Sequence, residues 1–158
     1  MLSAALRESE IKQTGSDFAI IRVNELVTHI QIVRDGHIRE IGTIPTGLNA
    51  ILMKISHEFS ATLEASADIL NLFLKKQLEQ KYTDTLEKIL SETLGEWRKG
   101  IKDFSAEIIT SGKFPSHVFL SSPTAASELY RSHLLADDYL DLTMSEKELT
   151  ADILDQSS

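Results

Sequence analysis

The first clear hydrophobic pattern begins at Asp17. Phe18-Ala19-Ile20-Ile21-Arg22-Val23 is a short apolar, β-branched run, which predicts a largely buried strand. Asn24-Glu25 reads as a tight turn. Val27 to Val33 then alternates, with Thr28, Ile30 and Ile32 on one face and His29, Gln31 and Val33 on the other. Asp35-Gly36 follows, a strong hairpin signal because a type I′ turn needs positive φ at both central positions. His37 to Ile44 is the predicted return strand, completing a three-stranded antiparallel meander.

Pro45-Thr46-Gly47 closes the strands, and a long helical region is predicted after it. Leu63, Ala67, Leu70, Leu74 and Leu78 form one stripe at spacings of three and four. Leu86, Leu90, Leu94, Trp97, Ile101, Phe104 and Ile108 make a second, heptad-spaced seam. Packing on the neighbouring helix and the sheet is the favoured reading of this seam; a coiled-coil contact with a partner helix is the alternative. Gly112 and Pro115 are expected to end the helix. His117 to Leu120 is a short apolar strand, expected to join the same sheet. Ser122 suits the N-cap and Pro123 the first position of a helix over Thr124 to Leu134. Tyr139, Leu140 and Leu142 are candidates for an edge strand, and Met144 to Leu154 for a short last helix. The segment Met1 to Ser16 is a thin helical start followed by a turn, read as a linker or the end of an element lying upstream. The expected class is α/β with a mixed sheet.

Composition narrows the function classes. The chain has 158 residues, one domain's worth, with 42% hydrophobic and 25% charged residues. The absence of Cys excludes disulfide scaffolds, thiolate catalysis and cysteine zinc sites. A formal net charge of -8 argues against nucleic acid or an anionic membrane as partner. Most of that charge is local: from Leu135 onward seven acidic residues stand against Lys147 alone. Residues 136–158 are therefore expected to form an acidic, solvated tail. No apolar run reaches the ~20 residues of a membrane span, and the N-terminus has no signal-peptide pattern, so a cytoplasmic protein is expected. His29, His37, His57, His117 and His133 show no metal-ligand spacing, and no Gly-x-Ser-x-Gly elbow is present.

The stretch IIRVNELVTHIQIVRDGHIREIGTIPTGLNAI resembles the start of the second large domain of bacterial actin-like ATPases, of which the division protein FtsA and the pilus assembly protein PilM are examples. The matching pieces are Ile20 to Val23, the turn Asn24-Glu25, Val27 to Val33, the tip Asp35-Gly36, and Ile44-Pro45-Thr46-Gly47-Leu48. PSHVFLSSPTAASELYRSHL resembles the family's later strand–glycine-rich loop–helix element. The resemblance covers residues 17–135 and implies an actin-like (ribonuclease H-like) subdomain with a small helical insertion at about 60–110. The family's first phosphate loop has no counterpart, which leaves a fragment or a stand-alone descendant as alternatives.

What the resemblance implies about nucleotide is mostly loss. The family's second phosphate turn, Asp-x-Gly-x-x-Thr-Thr, matches Arg22, Asn24, Val27 and Thr28, so the acid has become Arg and the glycine Asn. Only Thr28 fits. The glycine-rich adenosine loop has become Ser121-Ser122-Pro123, where side chains and a missing N–H obstruct a backbone approach. No catalytic residue, metal or resident cofactor is expected. The expected role is a non-catalytic scaffold contacting protein partners in cell division or pilus assembly, at the inner face of the membrane through those partners and without inserting in it. Two alternatives stand: the ATP- and Mg-binding half of an actin-like ATPase, or an α/β module dimerising through the heptad helix.

Overall fold

The computed structural model describes residues 17–108, 114–123, 126–136 and 150–154. Its strands are β1 Asp17–Val23, β2 Thr28–Arg34, β3 His37–Ile44, β4 His117–Ser121 and β5 Thr150–Ile153. Its helices are α1 Leu48–Phe59, α2 Leu63–Leu74, α3 Gln80–Ile108 and α4 Ser127–Leu134. The strands form one mixed sheet in the order β3-β2-β1-β4-β5. β1, β2 and β3 are the antiparallel meander, while β4 runs parallel to β1 and β5 parallel to β4. The β2–β3 turn has φ of 52° at Asp35 and 78° at Gly36, the left-handed pair that the Asp-Gly dipeptide favours.

The four helices and one face of the sheet share a single core. Ala19, Ile21 and Val23 of β1, Ile30 and Ile32 of β2, and Val118 and Leu120 of β4 pack into one cluster with residues of α1 to α4. On the opposite face Phe18, Ile20, Val33 and Phe119 form a smaller buried cluster. Phe18 and Phe119 meet there edge to face, 5.4 Å between centroids.

The heptad seam lies inside the main core. Leu86, Leu90, Leu94, Trp97, Ile101 and Phe104 are all buried in it. The coiled-coil reading, and with it dimerisation through this helix, is therefore overturned: the stripe is already covered by the protein's own sheet and helices. α3 is 29 residues, about 43 Å at 1.5 Å per residue. It comes so close to β3 that the Phe104 ring occupies the space a Cβ on Gly42 would need.

Three other expectations are corrected. The helical region after Gly47 is divided at Ser60, whose left-handed backbone (φ 48°) ends α1, and Thr62 then caps α2 by accepting from Ala65 N at 3.0 Å. Leu78 falls in the α2–α3 connection, beyond a second left-handed residue, Lys76. At the C-terminus, Thr150–Ile153 is a strand rather than part of a helix. Pairing with β4 decides this, with Thr150 N donating to Ser116 O and Leu154 N to Leu120 O, each at 2.7 Å. Ala151 is buried, and its carbonyl accepts from Arg131 Nε at 2.8 Å. Part of the acidic segment is thus built into the sheet. The candidate strand at Tyr139 to Leu142 and the rest of the candidate last helix lie outside the described residues, as do Met1 to Ser16 and Gly112.

Leu94→Ala is expected to lower unfolding free energy by about 2–5 kcal/mol in urea titration, a buried-leucine cavity cost. Leu72→Ala, at a site 41% exposed, is expected to change it by about 0.5 kcal/mol or less.

Candidate functional site

In open α/β sheets, ligands gather where parallel strands end at their carboxyl termini. Here that place is the end of β1 and β4. Arg22 pairs with Ser121 across β1 and β4, and Val23 pairs with Thr28 across β1 and β2. The structure therefore brings Arg22, Asn24, Thr28, Ser121 and Ser122 to one end of the sheet, although they come from two segments far apart in sequence.

Thr28 begins β2 and is completely buried. Its hydroxyl donates to the Thr46 carbonyl at 2.7 Å and accepts from Trp97 Nε1 at 3.0 Å. The one residue that matches the phosphate-turn pattern is thus committed to tying β2 to the Pro45–Gly47 loop and to α3. The turn before it is committed as well. Asn24 N closes the turn on Val27 O at 2.8 Å, while Leu48 N donates to Asn24 O at 3.0 Å and Asn49 N to Glu25 O at 2.8 Å. The first amides of α1, which would otherwise be orphan donors available to an anion, are satisfied by the turn's own carbonyls. Gly47 is needed for this contact, because a Cβ there would collide with the Asn24 and Glu25 carbonyls.

At the β4 end a hydroxyl is engaged within the protein as well. Ser122 is buried, and its hydroxyl shares a 2.8 Å hydrogen bond with Ser127 at the start of α4. α4 begins at Ser127, and Ala126, the residue before it, gives no side-chain cap. The expected N-cap at Ser122 and first helical position at Pro123 turn on the amides of residues 124 and 125, which lie outside the described residues. Ser121 is buried and Arg22 half-buried. Arg22, with its register partner His29, lies on the face opposite the main core. His29 Nδ1 is 3.2 Å from the Thr43 hydroxyl on β3.

Two residues of this end escaped the sequence reading. Trp97 supplies the indole N–H to Thr28, 69 positions away in sequence; only its place in the apolar seam was legible. Tyr130 of α4 stacks edge to face on Trp97, 5.0 Å between centroids. The Tyr130 hydroxyl is buried without a hydrogen-bond partner, and burial pushes its pKa well above the usual tyrosine range. Among the described residues, no group of three or more His, Cys, Asp or Glu is placed to hold a metal ion.

No family model matches the chain, and no curated protein matches it either. Solved structures do. A non-polymerisable quadruple mutant of pCBH ParM superposes with a TM-score of 0.63 at 13% identity, over 98% of this chain and 48% of that one. The ethanolamine utilization protein EutJ from Carboxydothermus hydrogenoformans gives 0.61 at 14% identity, over 89% and 46%. A PilM–PilN type IV pilus biogenesis complex gives 0.57 at 14% identity, over 89% and 39%. The fold is actin-like. Identities this low establish shared architecture alone. The chain spans less than half the length of each of these actin-like structures.

Two substitutions separate the roles at this end. Thr28→Val leaves the Trp97 N–H buried without its acceptor and is expected to cost about 1–3 kcal/mol of stability in chemical denaturation. Tyr130→Phe removes a buried hydroxyl that has no partner. It is expected to leave stability within about 1 kcal/mol of the parent, or to raise it.

Proposed function

We propose that this is an actin-like domain that works through protein contacts and does not turn over ATP. The observation that carries the reading is the double commitment of Thr28, whose hydroxyl is held by Thr46 O and Trp97 Nε1 while completely buried. The sequestered amides of Leu48 and Asn49 support it. So does Arg22, a cation where the resembled family places its metal-positioning acid. ATP with Mg does not fit the groups at this turn, and no catalytic step is assigned to it. In this reading the fold persists as a scaffold.

For partners, the support is the resemblance to FtsA and PilM together with a fold neighbour that is itself a protein complex, PilM–PilN. The proposed setting is the division ring or a pilus assembly platform at the cytoplasmic face of a membrane. Among the described residues no helix is long and apolar enough to cross a membrane; the proposal assigns attachment there to partner proteins.

Because the chain spans less than half the length of the actin-like structures named above, the decisive experiment uses the longest native protein that contains this chain. Titration calorimetry with ATP and with ADP, each with Mg, is expected to show no binding heat up to millimolar nucleotide. Saturable binding lost on Thr28→Ala would replace this reading with that of a nucleotide-binding half.

A further inference from the structure

β3 is the outer strand on one side of the sheet, and among the described residues no strand pairs with its free edge. Five of its eight residues are exposed, Ile41 most of all among its apolar ones, at 62%. An open edge offers a row of unpaired N–H and C=O groups to any strand that can match it, and a protein that keeps such an edge has to guard it.

The pairing of β3 with β2 is irregular at one place. Ile32 stands opposite Glu40 and Val33 opposite Ile38, so Arg39 has no partner in the register. This is a one-residue bulge. Its effect on the free edge follows from the alternation of an antiparallel ladder. Asp35-Gly36 is a two-residue turn, so Arg34 and His37 form the hydrogen-bonded pair that closes it. The backbone groups of His37 therefore point to β2 and those of Ile38 point away from it. Beyond the bulge, Glu40 and Gly42 point to β2, while Ile41 and Thr43 point outward. In a regular strand the outward residues fall at every second position. Here three residues separate Ile38 from Ile41, and two separate Ile41 from Thr43. An incoming regular strand presents its own groups two residues apart. It can match Ile38, or Ile41 with Thr43, but not all three. The exposed Arg39 adds a charge at the break itself.

We infer that the bulge at Arg39 closes the β3 edge to strand addition and so keeps this sheet from merging with another. The partners of the proposed scaffold then meet side-chain surfaces rather than this edge. Deleting Arg39 tests the inference with little else disturbed. It leaves every β2–β3 pair as it is and joins Ile38 to Glu40, so that Ile38, Ile41 and Thr43 fall at every second position along an unbroken edge. In sedimentation the deletion variant is expected to self-associate at concentrations roughly tenfold below any at which the parent does, because a regular edge templates pairing. Ile41→Lys in the deletion background is expected to restore the behaviour of the parent. A deletion variant that sediments as the parent does, or whose association survives Ile41→Lys, overturns the inference. Backbone amide exchange in the parent gives a readout that does not depend on how the deletion variant folds. The amides of Ile38, Ile41 and Thr43 are expected to exchange fast at every protein concentration, while that of Gly42 is protected. Protection of the three outward amides that grows with concentration would show strand addition in spite of the bulge, and would also overturn the inference.

Discussion

α3 meets the rest of the protein through an apolar stripe, Leu86 to Phe104, and through polar contacts of which the fully buried one among the described residues is the Trp97 indole N–H on the Thr28 hydroxyl. The stripe supplies most of the attraction, since each fully buried leucine, isoleucine or aromatic side chain is worth roughly 1.5–3 kcal/mol. The polar contact adds little net energy when made, but it is costly to leave unmade inside a dry core. It therefore acts on register more than on strength. Sliding α3 by one turn would still bury leucines, yet it would strand an N–H. That constraint holds α3 against the start of β2.

The consequence for function lies at the same end of the sheet. The hydroxyl that fixes α3 belongs to the residue that best matches the phosphate-turn pattern. On its other side that hydroxyl holds the Thr46 carbonyl, one residue before Gly47. Gly47 in turn lets the Asn24 and Glu25 carbonyls approach the start of α1. Three pieces of backbone thus converge where an anion would need open donors, and they satisfy one another. Ser122 and Ser127 do the same at the β4 end, hydroxyl to hydroxyl. In the proposed reading, groups arranged for a ligand in an actin-like ancestor have been turned inward to hold the scaffold.

Much of this architecture could be read along the chain, for physical reasons. The meander was legible because Asp35-Gly36 demands one turn geometry and because Thr28, Ile30 and Ile32 alternate with polar neighbours. The α3 seam was legible because six of its positions recur at helical spacing. What escaped depends on long-range partners. β5 looks helical from Met144 to Leu154, and its pairing with β4 overrides that local preference. The division of α1 from α2 rests on a single left-handed serine, Ser60, which carries no glycine signal. The hydroxyl contact of Ser122 with Ser127 joins two segments that no local pattern couples. At the candidate site, Thr28 could be picked out by its position. Its bond to Trp97 could not, because no local pattern couples residues 69 positions apart.

The central claim is that the amides and hydroxyl at this end of the sheet are already engaged and stay so in the presence of nucleotide. The most direct measurement follows the backbone N–H resonances of Leu48 and Asn49, and the Trp97 indole N–H, by ¹⁵N-edited nuclear magnetic resonance while ATP with Mg is added. The account predicts that all three stay in place to millimolar nucleotide, with slow hydrogen exchange of the Trp97 indole. Saturable shifts of Leu48 and Asn49, accompanied by movement or loss of the Trp97 signal, would contradict it.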